Sequence, residues 1–252
     1  MSVIRVERRG SVGRVVLARP ERKNAIDREM AEALFEAFGR CESDPQVRIV
    51  HLTSDGDDFC AGLDVAALAR MLDDPPETQR ADAEAFGRVL LAIRALMKPV
   101  VCSVRGRALS SGAGLALASD IVLAHEDAEF GFTEVRLGFV PALVMPMLRR
   151  TVGEKRAADL VLTGRVIAAE EAEHVGLVSR VMPAASYDAD VDSVLEGLAR
   201  LSPTSLALTK WLHYKLDSLS FEDGIAAGVV TNVEARATED FRDAIRRLTA
   251  PE

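Results

Sequence analysis

Two segments of the chain place glycine and other small residues at the start of an apolar helical pattern: DFCAGLDVAAL (58–68) and ALSSGAGLALASDI (108–121). In both, the backbone N–H groups at the helix start are expected to lack intrahelical acceptors, so they could bind an anionic oxygen. A glycine cluster can equally serve only a tight turn, and that alternative stays open for each segment taken alone.

A third segment, EFGFTEVRLGFVPA (129–142), carries Glu134 within a mostly apolar stretch. A carboxyl group in apolar surroundings tends to have a raised pKa, which suits proton transfer near neutral pH. A glutamate on a solvated helix face is the ordinary alternative. Two amide-bearing turns and one carboxyl group together are typical of an oxyanion hole combined with an acid/base group.

The elements that must position these residues read as strands alternating with helices up to about residue 185. Short β-branched runs predict buried strands at 12–18, 47–54, 99–106 and 120–124. Asp27 is placed as the N-cap of a helix, and apolar residues recur after it at helical spacing: Met30, Leu34, Ala37, Phe38 and Cys41. The polar stretch LARMLDDPPETQRAD (68–82) predicts a mobile loop between two helices.

From about residue 188 onward the strand signals stop and helices are expected. Ser202 before Pro203 is a cap followed by a first-turn proline, and Ser220 with Asp223 has capping-box spacing. The sequence therefore predicts an α/β core followed by a C-terminal helical extension.

Composition limits the classes of function. A chain of 252 residues can bury one sizeable core, and a net charge of −8 makes nucleic acid an unexpected partner. We expect no signal peptide, no membrane span and no membrane partner, because the apolar runs are too short. The three cysteines, Cys41, Cys60 and Cys102, are odd in number and far apart, which favours free thiols in a reducing cytoplasm over a disulfide framework or a metal site.

Five segments, in the same order along the chain, together resemble the enoyl-CoA hydratase/isomerase (crotonase) family. Each is short, so the order and number carry the resemblance: RPERKNAID (19–27), FCAGLDV (59–65), ALSSGAGLALASDI (108–121), FGFTEVRLGFVP (130–141) and AEEAEHVGLVSRVMP (169–183).

The resemblance implies a fold and an assembly. The expected fold is α/β, a crotonase-like spiral of ββα turns over residues 1–187, followed by a C-terminal helical trimerisation extension over residues 188–252. The expected assembly is a homotrimer or a dimer of trimers. No cofactor is expected, because a coenzyme A thioester is the substrate in this family.

The resemblance also implies the site. The backbone N–H groups of Leu63 and Ser111 would stabilise a thioester enolate, with Glu134 as the acid/base group. The remaining candidates would bind or approach the substrate, Arg22 and Lys23 through coenzyme A and the others at the two turns: Arg22, Lys23, Ala61, Gly62, Asp64 and Gly112. A solvated basic loop is the alternative for Arg22 and Lys23, and Lys210 is expected to be a surface lysine.

One position departs from the family pattern. Typical hydratases hold water with two glutamates, and the first would fall at Gly114, so only Glu134 is retained. The run TEVRLGFVPA is nearest to the bacterial methylglutaconyl-CoA hydratase-like branch, in which a substrate carboxylate could assist with Arg136 nearby; Arg136 could equally face outward. Hydration of a short or branched enoyl-CoA is therefore ranked just above isomerisation by a single carboxylate, and a non-catalytic acyl-CoA-binding protein is the third alternative.

Overall fold

A computed structural model describes residues 2–249. Within these residues the strands are β1 (Ile4–Arg9), β2 (Val12–Leu17), β3 (Ile49–Ser54), β4 (Val100–Val104), β5 (Arg107–Leu109), β6 (Ile121–His125), β7 (Glu129–Gly131), β8 (Val166–Ala168) and β9 (Arg180–Met182). The helices are α1 (Arg28–Ser43), α2 (Val65–Met71), α3 (Pro76–Ala95), α4 (Ser111–Ala118), α5 (Met145–Val152), α6 (Glu154–Thr163), α7 (Ala169–His174), α8 (Tyr187–Ala199), α9 (Pro203–Lys215), α10 (Phe221–Ala237) and α11 (Glu239–Thr249). Short 3-10 turns occupy Pro20–Arg22, Glu134–Leu137 and Leu216–Ser218.

The larger sheet has six strands in the order β1-β2-β3-β4-β6-β9. Strand β1 is antiparallel to β2, and the other neighbouring pairs are parallel. The four strands predicted from β-branched runs are the neighbouring central strands β2, β3, β4 and β6, which are buried because helices cover both faces of the sheet. The predicted α/β architecture is therefore confirmed.

The smaller sheet has the order β5-β7-β8 and consists of three-residue strands that no sequence pattern predicted. Strands β5 and β7 are parallel, with Leu109 opposite Gly131. Because parallel strands end at the same edge of a sheet, the residues that follow β5 and β7 meet there. Those residues include Ser111 and Glu134, so this small sheet brings two of the predicted site segments together.

The helix predicted to follow Asp27 is confirmed as α1, and the five apolar residues named for its buried face are all buried. The Asp27 carboxylate accepts the Met30 N–H at 2.9 Å, as an N-cap does. The loop predicted at 68–82 is much shorter. Helix α2 ends at Met71 and α3 begins at Pro76, because a proline at the first helical position needs no intrahelical acceptor.

The C-terminal helices begin as predicted. Ser202 caps α9 through the Ser205 N–H, and Ser220 caps α10 through the Asp223 N–H. The side chains of α8 pack on the larger sheet, whereas α9–α11 bury few of theirs as far as residue 249. The division into a core (1–187) and a helical region (188–252) stays a prediction. Residue 1 and residues 250–252, the two ends of these ranges, lie outside the described residues.

The surface position expected for Lys210 is wrong. Its ammonium group is buried and donates to Ile93 O at 2.9 Å and Lys98 O at 3.1 Å, and it lies 2.7 Å from a carboxylate oxygen of Asp120. Tyr214 donates to the other oxygen of Asp120 at 2.8 Å. Burial lowers the pKa of Lys210, and the Asp120 carboxylate opposes that effect. Lys210 therefore joins α9 to α3 and to the end of α4, and it has a structural role.

We expect Lys210→Met to lower the free energy of unfolding by about 3 kcal/mol, because breaking a buried pair leaves the Asp120 carboxylate without its cation. Urea unfolding followed by circular dichroism measures this change. Lys215→Met, at the exposed end of the same helix, is the matched control and should change stability by less than ~0.5 kcal/mol. Equal stability of the two variants would contradict the structural role of Lys210.

Candidate active site

The edge of the smaller sheet brings two site segments side by side. Ser110 follows β5 and donates its N–H to Gly131 O at 2.7 Å, at the end of β7. Helix α4 begins at Ser111, and the 3-10 turn after β7 begins at Glu134. The start of a buried helix and a carboxyl group therefore lie at one edge, held by a main-chain hydrogen bond between their strands.

The segment at residues 60–62 runs parallel to β5 and completes this edge. The Cys60 N–H donates to Arg107 O and the Leu109 N–H donates to Cys60 O, both at 2.9 Å. Gly62 has a φ of +102°, and a Cβ there would lie 3.0 Å from Ser110 Cβ and 3.1 Å from Leu109 O. Gly62 thus serves both a left-handed backbone and a close approach of two main chains.

The direction of the Leu63 N–H follows from its neighbours. Ile26 donates to Gly62 O at 2.7 Å and accepts the Asp64 N–H at 3.1 Å, as in a parallel bridge opposite Leu63. The Gly62 carbonyl faces Ile26, and the Leu63 N–H lies on the opposite side of the same trans peptide group, so the N–H of Leu63 points away from Ile26. Among residues 2–249 it finds no acceptor.

The N–H of Ser111 is also without an acceptor in the described part of the chain. Ser111 is the first residue of α4, so its N–H has no intrahelical partner, and the helix dipole adds positive potential there. The preceding residue, Ser110, has a φ of +50° and a ψ of −111°, which is unusual for a residue with a side chain. Because a Cβ at Gly62 would lie only 3.0 Å from Ser110 Cβ, the amides of Leu63 and Ser111 follow two residues that lie close together.

Gly112 lies against the same segment. A Cβ at Gly112 would be 2.8 Å from Cys60 Cβ and would also collide with Cys60 O. The Cys60 side chain is fully buried behind the turn, and burial raises the pKa of its thiol to about 12. The small residue at 112 therefore allows α4 to begin directly against the residue 60–62 segment.

Glu134 is 7 % exposed, and its Oε2 atom is buried with no hydrogen-bond partner among the described residues. Burial raises the pKa of the Glu134 carboxyl group, while its own N–H and the nearby Ser110 hydroxyl favour the charged form. An unpartnered buried carboxyl oxygen is costly. An unpartnered Oε2 atom at this edge is what we expect of a carboxyl group that binds a ligand or a water molecule.

The predicted substrate-binding residues 22, 23, 61 and 64 lie around the same turn. Arg22 donates to an Asp64 carboxylate oxygen at 3.1 Å, and the Ala61 N–H donates to Lys23 O at 3.0 Å. The Arg22 and Lys23 side chains are exposed, whereas Asp64 is buried. The structure thus brings these residues together; their contacts with a substrate stay predictions.

Sequence reasoning missed the residues that fix this turn. Arg19 is buried, lies 2.6 Å from the Asp27 carboxylate and 3.9 Å from that of Asp64, and donates to Ala25 O. Asn24, also buried, donates to the carbonyls of residues 55 and 58 at 2.8 and 3.0 Å. Together they hold the segment at residues 19–27 against that at 55–64. Both Arg19 and Asn24 belong to the motif RPERKNAID, and both hold the main chain in position.

A second missed residue explains Gly114. A Cβ at Gly114 would lie 2.5 Å from Cγ1 of Val144, which is buried just before α5. The space toward which a first glutamate would extend is therefore filled by a valine. Nothing in the sequence pattern pairs these two positions. The exposed side chain of Arg136 agrees with the outward-facing alternative.

The described residues also contain features unrelated to this edge. A cavity of about 310 Å³ lies between α4, α5 and α9, and its arginines Arg94 and Arg150 both approach the Asp217 carboxylate. Within residues 2–249, no group of three or more histidine, cysteine, aspartate or glutamate side chains could hold a metal ion. In the same range no helix has the length and apolar character needed to cross a bilayer.

We expect Gly112→Ala to destabilise the protein by about 1–3 kcal/mol, because the added methyl group meets Cys60 main-chain and Cβ atoms that cannot move alone. Thermal unfolding measures the change. Gly87→Ala in α3 is the control: a Cβ there meets no atom within 4 Å, and alanine favours a helix by up to about 1 kcal/mol. A Gly112→Ala protein as stable as the Gly87→Ala protein would contradict the close approach.

Comparisons with known proteins give this geometry a family context. The family model for enoyl-CoA hydratase/isomerase matches residues 7–248. A candidate enoyl-CoA hydratase of Thermus thermophilus is 41% identical over 244 residues, which cover 97% of this chain and 96% of that protein. The (E)-benzylidenesuccinyl-CoA hydratase of Thauera aromatica is 32% identical, with coverage of 93% and 91%.

Solved structures agree with the spiral fold expected from the resemblance. The enoyl-CoA hydratase of Mycobacterium smegmatis superposes with a TM-score of 0.92 at 29% identity and covers 99% of this chain and 98% of that chain. An enoyl-CoA hydratase from Polaromonas gives a TM-score of 0.93 at 28% identity, with coverage of 97% and 96%. With a family model that spans almost the whole chain and relatives above 30% identity, this chain belongs to the enoyl-CoA hydratase/isomerase family.

Proposed function

We propose that the protein is an enoyl-CoA hydratase that adds water to the double bond of a short or branched enoyl-CoA. The observation that carries the proposal is the buried Glu134 carboxyl group, with an unpartnered Oε2, at the same edge as two backbone N–H groups without acceptors. The names of the relatives, which include hydratases of enoyl-CoA and of (E)-benzylidenesuccinyl-CoA, support the choice of reaction.

The two amides supply the electrophilic half of the proposed site. The thioester carbonyl oxygen accepts hydrogen bonds from the N–H groups of Leu63 and Ser111. As water adds to C3, the C2=C3 electrons move toward this oxygen and give an enolate, whose charge the two donors and the α4 dipole stabilise. Preorganised donors of this kind are worth ~10²–10³ in rate each.

Glu134 supplies the proton balance. Its carboxyl group gives a proton to C2 while the attacking water, whose oxygen bonds to C3, returns a proton to the carboxylate, so that one water is added in total. Burial raises the pKa of Glu134 above the ordinary value of a glutamate, which suits a group that both gives and takes a proton. No cofactor takes part in this scheme; the coenzyme A thioester is the substrate, and Arg22 and Lys23 are proposed to bind its nucleotide end.

One observation favours a second candidate. Val144 fills the space beside Gly114, so the site holds one carboxylate where typical hydratases hold two. A single base is sufficient for an isomerase, which removes a proton from C2 of a 3-enoyl thioester and returns one to C4 of the enolate. The mass of the substrate is then unchanged. Hydration and isomerisation therefore differ in a measurable product.

We expect Glu134→Gln to lower kcat by at least ~10²-fold, because the amide cannot transfer the proton. Wild type and variant are offered a 2-enoyl and a 3-enoyl thioester, and the products are weighed by mass spectrometry. The gain of one water supports the hydratase, and a shifted double bond at constant mass supports the isomerase. Glu129→Gln, an exposed glutamate on β7, is the matched control and should keep wild-type turnover.

Two outcomes would contradict the proposal. Unchanged turnover by Glu134→Gln would remove Glu134 as the acid/base group. Absence of turnover by the wild-type protein, with coenzyme A thioester binding retained, would leave an acyl-CoA-binding protein without catalysis.

We also propose a homotrimer or a dimer of trimers built on the C-terminal helices. The exposed large apolar side chains of α10 and α11 support self-association: Phe221, Ile225, Val229, Val230, Val233, Phe241, Ile245 and Leu248. Burial of apolar surface at roughly 25 cal/mol per Å² would favour covering them.

Light scattering should give the mass of a trimer or a hexamer of the 27.2 kDa chain. Val229→Asp, on α10, should lower that mass because a carboxylate would be buried in the interface. Asn232→Asp adds the same charge on the same helix at an exposed polar position and should leave the mass unchanged. A monomeric wild-type protein would contradict the assembly.

The proposed location is the cytoplasm, and the proposed setting is fatty acid metabolism. Free, buried thiols at Cys41, Cys60 and Cys102 are compatible with a reducing compartment.

A further inference from the structure

The Ser110 backbone is strained without an evident structural need for a side chain. Its φ of +50° is a conformation that glycine adopts freely and that is strained for a residue with a side chain. Yet the chain keeps a serine there, buried to 7 % exposure at the edge that holds Glu134. A hydroxymethyl group retained against backbone strain indicates that the hydroxyl has a use.

The surroundings fix the position of this hydroxyl. The Ser110 N–H donates to Gly131 O at 2.7 Å, and its carbonyl accepts the Gly114 N–H at 2.9 Å, so the main chain is held on both sides. Its Oγ lies 3.4 Å from Oγ1 of Thr133, the residue directly before Glu134. The Ser110 hydroxyl is also close enough to the Glu134 carboxyl group to favour its charged form, so it lies near that group.

The position at which a further glutamate would be expected has an apolar neighbour instead. Val144 occupies the space beside Gly114, with Cγ1 only 2.5 Å from the position of an added Cβ. A carboxyl group that moves a proton must keep a fixed orientation toward the reacting carbon, and an apolar wall cannot provide that by hydrogen bonding. The Ser110 hydroxyl can.

We propose that Ser110 is a positioning residue for Glu134: its hydroxyl donates to the Glu134 carboxylate and orients it toward C2 of the thioester. The inference rests on the proposed function, since it assigns a role within that same site. Ser110 does not touch the reacting atoms in this scheme; it acts through Glu134.

The proposal has a titration signature. A hydrogen bond to the carboxylate favours the charged form and so lowers the pKa of Glu134 against the effect of burial. Removing the hydroxyl should therefore raise the pKa of Glu134. The limb of the pH–rate profile that reports Glu134 should move to higher pH by about one unit, a tenfold change in the protonation equilibrium.

The experiment compares Ser110→Ala with Ser110→Gly. Both lose the hydroxyl, but the glycine variant also relieves the backbone strain, so it should fold at least as well as wild type. NMR of protein with 13C-labelled glutamate follows the titration of Glu134, whose resonance is identified by its absence in Glu134→Gln. The midpoint of that titration gives the pKa of Glu134 and does not require the protein to turn over a substrate. Ser119→Ala, a buried serine at the other end of α4, is the control and should leave the midpoint unchanged.

We expect both Ser110 variants to raise the midpoint and to lower kcat by about tenfold, with KM changed by less than about twofold, because the substrate contacts remain. An unchanged Glu134 midpoint in the folded Ser110→Gly protein would overturn the proposal. If the Ser110 variants raise the titration midpoint of Glu134 but the wild-type protein turns over neither thioester, the hydrogen bond between Ser110 and Glu134 is supported. The proposed function is then contradicted instead.

Discussion

The site depends on the close main-chain approach of three distant segments. The residues after Pro20, those at 60–63 and those of β5 lie side by side, joined by hydrogen bonds from Ile26 to Gly62 and from Leu109 to Cys60. Glycine at 62 and 112 permits this approach, because a Cβ at Gly112 would collide with Cys60 O and one at Gly62 would be crowded by Ser110 Cβ and Leu109 O. The free N–H groups are a result of this packing, since bonding on one side of the Leu63 segment directs its amide to the other.

Ion pairs stabilise the same arrangement of segments. The buried Arg19 guanidinium lies between the carboxylates of Asp27 and Asp64, so the first helix cap and the turn that carries Leu63 share one cation. Asp64 is thereby held by both Arg19 and Arg22. The residues that hold the turn thus extend as far as Asp27, the N-cap of α1. Substitutions at Asp27 or Arg19 are therefore expected to displace the Leu63 amide.

Sequence predicted the parts of the fold that carry a repeating physical signal. The central strands are β-branched runs covered on both faces, and the α1 and α9 caps follow from single side chains that accept helix N–H groups. The strands β5, β7 and β8 have only three residues each, too few for any alternation to be visible, and they are fixed by partners from elsewhere in the chain. Lys210 and Val144 depend on such partners as well: a lysine that reads as exposed finds Asp120, and a valine finds the space that Gly114 leaves.

The position of Cys60 behind the candidate oxyanion turn has a consequence for chemical modification. A thiol whose pKa is raised to about 12 by burial is a thiolate in only about one molecule in 10⁵ at neutral pH. Alkylating reagents and peroxides attack the thiolate, so this sulfur is shielded from electrophiles although it packs directly against the glycine at the start of α4. The turn is therefore packed against a buried sulfur without carrying a reactive nucleophile beside the proposed thioester site.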